Sequence, residues 1–133
     1  MTTVAVIIVT HNSEDVLPRC MEALFRQRIQ PEIVIVDSGS EDISYLDSYS
    51  NKTGIKVILR ENIGFSRANN TGYQTVSRTA EYILFLNPDA FVTENILQKT
   101  LNVFEENEKI GCLGARLLGF ERNSGIPTGL LDS

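Results

Sequence analysis

Several chemistries are excluded by what this sequence has little of. Its two cysteines, Cys20 and Cys112, lie far apart and form no CxxC, so neither a zinc site nor a redox pair is written here. Both read as core fillers. His11 is the single histidine, with no cysteine or acid beside it to complete a triad or a zinc cluster. Basic residues are outnumbered, 12 Lys+Arg against 17 Asp+Glu for a net charge of -5, which leaves no cationic surface for nucleic acid or anionic lipid. Any phosphate must therefore be held locally, by backbone N–H groups, a few arginines or a divalent cation. Long apolar runs are missing as well. Val4 to Val9 is the longest, far short of the roughly 20 residues that span a bilayer, and Met1-Thr2-Thr3 lacks the basic start of a signal peptide. The chain reads as having no membrane segment and as suited to a reducing cytoplasm. No GxxxxGK[ST] occurs, and the first turn, Thr10-His11-Asn12-Ser13-Glu14-Asp15, holds no glycine, which argues against a P-loop and against a dinucleotide-binding GxGxxG.

What is present suits one globular domain. With 133 residues, 42% hydrophobic and 22% charged, the chain can bury about two-thirds of its unfolded surface. Val4 to Val9 is a continuous, mostly β-branched run, the pattern of a strand covered on both faces; Ile33 to Val36 reads as a second buried strand, and Ile55 to Leu59 and Tyr82 to Leu86 as the third and fourth. Ile110 to Leu118 reads as a fifth strand. Between them the period becomes helical. Val16, Leu17, Cys20, Met21, Leu24 and Phe25 form one stripe after Ser13, with Pro18 tolerable in the first turn and Cys20, Met21 and Phe25 expected in the core. A short polar helix is expected near Asp42 to Tyr49, one from Ser66 to Ser77 with Ser66 as cap, and one after Thr93 bearing Ile96, Leu97, Leu101 and Phe104. Strands alternating with helices give an α/β fold with a mostly parallel sheet, in which ligands bind beyond the carboxyl ends of the strands.

That rule selects four segments: Thr10-His11-Asn12, Asp37-Ser38-Gly39-Ser40, Arg60 to Arg67, and Asn87-Pro88-Asp89. Short amides, hydroxyls and isolated carboxylates on one rim suggest a site, although the same residues also make turns and caps. Pro88 must end the fourth strand, and period-two alternation then sets Asn87 and Asp89 on one side, where they can share a divalent ion or a diphosphate. A strand terminator is the plainer alternative. Asp37 stands where a dinucleotide fold grips a ribose, or caps the turn that follows it. His11 can be incidental, or can stack its ring on a nucleobase while Asn12 hydrogen-bonds nearby. Arg67 contacts a phosphate or merely flanks a helix start.

Val-Ile-Ile-Val-Thr-His-Asn (6 to 12), Ile-Val-Asp-Ser-Gly-Ser-Glu-Asp (35 to 42), Glu-Asn-Ile-Gly-Phe-Ser-Arg-Ala-Asn-Asn-Thr-Gly (61 to 72) and Phe-Leu-Asn-Pro-Asp-Ala (85 to 90) occur in this order at successive strand ends. With them the sequence resembles the nucleotide-binding half of inverting family 2 glycosyltransferases, and within these the bacterial rhamnosyltransferases. The resemblance implies a GT-A fold, a Rossmann-like sheet with helices on both faces, truncated after a nucleotide-sugar-binding domain at 1–118, with 119–133 a loop leading into a missing acceptor-binding portion. It implies that Thr10, His11, Asn12, Asp37 and Ser38 surround base and ribose. Asn62, Gly64, Arg67, Asn69 and Asn87 would border the nucleotide-sugar, and Asp89 would hold Mg²⁺ or Mn²⁺ in the DxD position. Three departures stand out. His11 replaces the usual aromatic, Ser38 the second acid of an Asp-Asp pair, and Asn87 the first acid of DxD. The second leans toward thymidine nucleotides and the third weakens metal affinity.

The implied reaction is transfer from a nucleoside-diphosphate sugar, dTDP-rhamnose being a candidate, to a saccharide or lipid-linked acceptor with inversion. The general base belongs to the acceptor half, so no catalytic residue is assigned within this fragment, which is expected to be inactive alone. The setting implied is cytoplasmic, at the inner membrane surface in a full-length protein. Two rivals remain. One is a non-catalytic nucleotide-binding module. The other is a sugar nucleotidyltransferase, whose glycine-rich basic first loop is absent.

Overall fold

The computed structural model describes residues 3–120 and 127–130. Residues 1–99 form one compact unit and 100–133 a second. In the first, four parallel strands, β1 (Val4–Thr10), β2 (Glu32–Ser38), β3 (Ile55–Arg60) and β4 (Tyr82–Phe85), pair in the order β3-β2-β1-β4. The expectation of a parallel α/β sheet holds. The helices are α1 (Leu17–Phe25), the short α2 (Asp47–Ser50) after a 3-10 turn at Ser44–Leu46, α3 (Phe65–Thr75) and α4 (Ile96–Glu106), which runs past the end of the first unit.

Two-residue alternation explains why both faces of the sheet are apolar. Val6, Ile8, Ile33 and Ile35 turn to one face, where Leu17, Cys20, Met21 and Leu24 of α1 cover them together with Leu46 and Tyr49. Ile7, Val34 and Val36 turn to the other and meet Ala68 of α3. Each fully buried Ile or Leu contributes about 1.5–3 kcal/mol. Close approach of α3 depends on Gly72, because a Cβ there would lie 2.6 Å from Ile7 Cγ2 and 3.2 Å from Val36 Cγ2. The chain thus leaves β1 toward β2 on one face and returns from β3 to β4 on the other. The strand order reverses between β1 and β4, where sheets of this kind leave a crevice at their carboxyl edge.

Several local expectations are corrected. Phe25 closes α1 but is 39% exposed, its ring facing Lys52 Nζ at 4.9 Å, since the α1 stripe turns past the sheet by its last residue. Cys112 is exposed rather than core. Ser66 is no cap: α3 starts at Phe65, and Gly64 occupies the cap position without a side-chain bond. At the start of α4, Thr93 O accepts Ile96 N at 3.3 Å. Leu86 lies beyond β4, although its N–H still donates to Ile7 O at 3.0 Å.

The second unit differs more. No strand covers 110–117, a stretch broken by Gly111 and Gly114, which have little tendency to stay extended. Instead β5 (Leu118–Phe120) pairs antiparallel with β6 (Pro127–Leu130), Leu118 opposite Leu130, where a loop was expected. Residues 121–126 and 131–133 of that expected loop lie outside the described residues. Among the described residues no helix is long and apolar enough to cross a membrane.

Candidate nucleotide-sugar site

Register sets up the site. Thr10 is the partner of Asp37 across β1 and β2, and Asp37 lies opposite Leu59 of β3, so these residues reach the carboxyl edge together. Alternation then sends Asp37 and Ser38 to opposite faces. Asp37 is 1% exposed, and its carboxylate accepts four hydrogen bonds. Oδ1 takes the hydroxyls of Thr10 (2.8 Å), Ser40 (2.5 Å) and Tyr45 (3.1 Å), while Oδ2 takes Ser40 N at 2.9 Å. A carboxylate so enclosed tolerates burial because its charge is distributed over fixed donors.

The bonds extend into the β1–α1 loop. Asn12 N donates to Ser40 Oγ at 2.7 Å, and Asn12 Oδ1 accepts from Glu41 N at 2.8 Å. Ser13 N reaches Tyr45 Oη at 3.4 Å, and Ser13 Oγ both accepts from His11 N (3.1 Å) and donates to His11 O (3.2 Å). Ser38, on the other face, accepts Ile63 N on its Oγ at 3.1 Å, and its carbonyl lies 2.8 Å from His11 Nδ1. Gly39 completes the junction with φ +76°, a conformation that favours glycine. A Cβ there would lie 2.7 Å from Asn62 N.

Thr10, His11, Asn12, Asp37 and Ser38 are thereby brought together, and Asn62 is held against Gly39. Gly64 accepts Ala68 N on its carbonyl at 3.1 Å, while Gly64 N lies 3.3 Å from Asn62 Oδ1. Arg67 is exposed in the first turn of α3. Asn69 bonds back to its own helix, Nδ2 to Phe65 O at 3.1 Å. The acidic turn after β4 is built differently. Ala90 N donates to Asn87 O at 3.0 Å, closing a four-residue turn with Pro88 second, so strand alternation does not continue through Asn87 and Asp89 as expected.

Asn87 and Asp89 are exposed, and they lie toward α1. Cys20 Sγ approaches Asn87 O at 3.8 Å, and burial first, then the Asp89 charge, pushes the Cys20 thiol up to about 12. Farther along the same segment Arg19 covers the Phe91 ring at 4.5 Å. Buried Gln27 donates to Thr93 O at 2.9 Å and accepts from Leu97 N at 3.3 Å. An open groove of about 410 Å³ lies at the opposite, amino-terminal edge, lined by Phe25, Pro31, Ile33, Lys52 and Gly54, and it holds none of the residues selected from sequence.

Ser40 lay in a segment selected from sequence but was given no role there, and Tyr45 was not singled out. Ser40 sits three residues after Asp37, the spacing at which an Asp side chain receives a backbone N–H, and was readable. Tyr45 reaches Asp37 through a tertiary contact that carries no local signal.

A family model described as Glycosyl transferase family 2 matches residues 5–130. The chain belongs to glycosyl transferase family 2. Among curated relatives of this glycosyltransferase domain, it is 32% identical over 114 residues to the minor teichoic acid biosynthesis protein GgaA of Bacillus subtilis (strain 168), covering 80% of this chain and 26% of that protein. To the uncharacterized glycosyltransferase EpsJ of the same organism it is 31% identical, covering 82% and 33%. The domain thus spans about a quarter to a third of these relatives. Among solved structures, S. aureus TarS 1-349 superposes with a TM-score of 0.70 at 24% identity over 80% of this chain and 33% of that one, which establishes the shared GT-A fold.

Proposed function

We propose that this chain is the donor-binding part of an inverting glycosyltransferase that moves a sugar from a nucleoside diphosphate to a saccharide or lipid-linked acceptor. The reading is carried by one observation: a frame centred on buried Asp37 presents His11 and Asn12 at the same sheet edge as the exposed Asp89 turn. The nucleoside lies against His11 and Asn12, with Thr10, Asp37 and Ser38 shaping its seat. Asn62, Gly64, Arg67, Asn69 and Asn87 border the diphosphate and sugar. TarS has been crystallised with UDP-GlcNAc and with UDP, and the names of several relatives refer to teichoic acid or poly(ribitol-phosphate) glycosylation. These support a nucleotide-sugar donor and a glycopolymer acceptor. dTDP-rhamnose is the finer candidate, suggested by the sequence resemblance and by Ser38 in place of a second acid.

Among the described residues no three or more His, Cys, Asp or Glu side chains gather as a complete metal cage. The donor set fits Mg²⁺ or Mn²⁺ of the kind that takes one carboxylate and completes its shell with diphosphate oxygens and water. Asp89, with Asn87 beside it, would hold the ion, which when bound stabilises charge on the departing phosphate oxygens. Residues 1–118 form the donor part in this reading, 119–133 lead toward the acceptor part, and the general base lies outside the 133 residues.

The test is to assay this chain and a form extended at its carboxyl end with dTDP-rhamnose, UDP-GlcNAc and a panel of saccharide acceptors. Donor binding by both forms and acceptor-dependent transfer only by the longer one is expected. Robust transfer by this chain alone would contradict the division and require a base among His11, Asp37 and Glu61.

A further inference from the structure

The partner of His11 decides what that residue can do. Nδ1 lies 2.8 Å from the Ser38 carbonyl oxygen, and a carbonyl accepts hydrogen bonds without donating them. The proton of the neutral ring therefore sits on Nδ1, and Nε2 is left as a bare lone pair. His11 is exposed on the rim, and Nε2 has no hydrogen-bond partner among the described residues. Its backbone is braced on both sides by Ser13 Oγ, which fixes the place from which the ring projects.

The neighbouring acceptors are already in use. All four donors on Asp37 come from within the frame, Ser38 Oγ holds Ile63 N, and Asn12 Oδ1 holds Glu41 N. Beside these acceptors, each of which already holds a bond, His11 Nε2 is an aromatic nitrogen that holds none among the described residues and calls for a donor. A flat ring used only for stacking has no need of a fixed tautomer.

We infer that His11 is a specificity-determining residue whose Nε2 accepts a hydrogen bond from the ring imide N–H of a uracil or thymine base. This rests on the nucleotide-binding reading above and goes beyond it by assigning the base class to one atom. Cytosine, a ring of the same size, has a bare nitrogen at that position and would set lone pair against lone pair, so a cytidine nucleotide is disfavoured.

Binding of UDP, CDP, 3-methyl-UDP and 2′-deoxy-UDP to the chain is measured by calorimetry in the presence of Mg²⁺. CDP and 3-methyl-UDP should bind about tenfold more weakly than UDP, the order expected when a hydrogen bond is replaced by an unpaired group. 2′-Deoxy-UDP should keep UDP-like affinity, because the ribose hydroxyl is not the donor involved; a loss confined to that ligand would move the contact to the sugar and overturn the inference. His11→Phe retains a flat ring without the acceptor and should make UDP and 3-methyl-UDP equal. UDP binding that is indifferent to N3 methylation in the unaltered chain overturns the inference while leaving the nucleotide-binding reading intact, and no binding of any nucleoside diphosphate overturns both. A nitrogen NMR spectrum of the ligand-free chain at alkaline pH should show the proton on Nδ1, and a proton on Nε2 would contradict the argument at its first step.

Discussion

Asp37 and Asp89 both follow an apolar strand and both stand at the carboxyl edge, yet the fold uses them in opposite ways. Asp37 is the penultimate residue of a central strand, is enclosed at 1% exposure, and spends its charge on three hydroxyls and one N–H that tie the end of β1 to the β2 loop. Asp89 sits in an exposed turn after the shorter β4. An acid whose oxygens are all engaged within the protein is architecture. An acid left to solvent at the crevice is the one able to meet a cation. The difference shows that position at a strand end selects candidates, while burial and bonding separate a carboxylate bound into the fold from one left to solvent.

Breaking the frame should produce the largest effect. Asp37→Ala leaves the buried Thr10 hydroxyl and the half-buried Ser40 and Tyr45 hydroxyls without their acceptor and is expected to destabilise the domain by about 3 kcal/mol, whereas Asp89→Ala should change stability by less than about 0.5 kcal/mol. Urea denaturation checks the pair, and equal losses would erase the distinction between them. Next comes Gly72→Ala, at the packing of α3 on the sheet. Its methyl would crowd Ile7 and Val36, with an expected cost of about 1–3 kcal/mol and no change in nucleotide affinity once folded. A stabilised variant would mean that α3 is free to move outward.

Titration of Cys20 gives the smallest and most local readout of the Asp89 side. Its thiol is raised from 9.0 to about 12 in the folded chain, so between those values the unfolded chain loses a proton that the folded chain keeps. This contribution to stability is present below pH 9 and declines as pH rises toward 12. The decline should be shallower in Cys20→Ala, and also in Asp89→Ala because the carboxylate is the second cause of the shift. Identical slopes in all three proteins would remove Asp89 from the neighbourhood of Cys20.

The sheet was legible because Val4 to Val9 and Ile33 to Val36 are continuous β-branched runs, and the short, largely apolar segments Ile55 to Leu59 and Tyr82 to Leu86 recur after helical stretches. Their ends pointed to most of the rim. The hairpin of β5 and β6 was not legible, since Leu118–Phe120 acquires strand character by pairing with Pro127–Leu130 and not from its own pattern. Alternation failed at Asn87 and Asp89 because β4 already ends at Phe85 and Pro88 sits second in a turn. His11 was readable as a ring at the carboxyl edge of the sheet. The proton position that gives it a hydrogen-bonding role depends on the Ser38 carbonyl, 27 residues away.

The affinity of this chain for UDP and dTDP, measured by calorimetry with Mg²⁺ and with a chelator for the unaltered protein and for Asp89→Ala, is the most direct test of nucleotide binding at this edge. A chain of net charge -5 should not hold a diphosphate well unless a cation offsets it. The prediction is therefore tighter binding with Mg²⁺ in the unaltered chain, and loss of most of that increment in Asp89→Ala with folding unimpaired. Equal affinity with and without the metal would contradict it and shift the diphosphate to Arg67 and backbone donors.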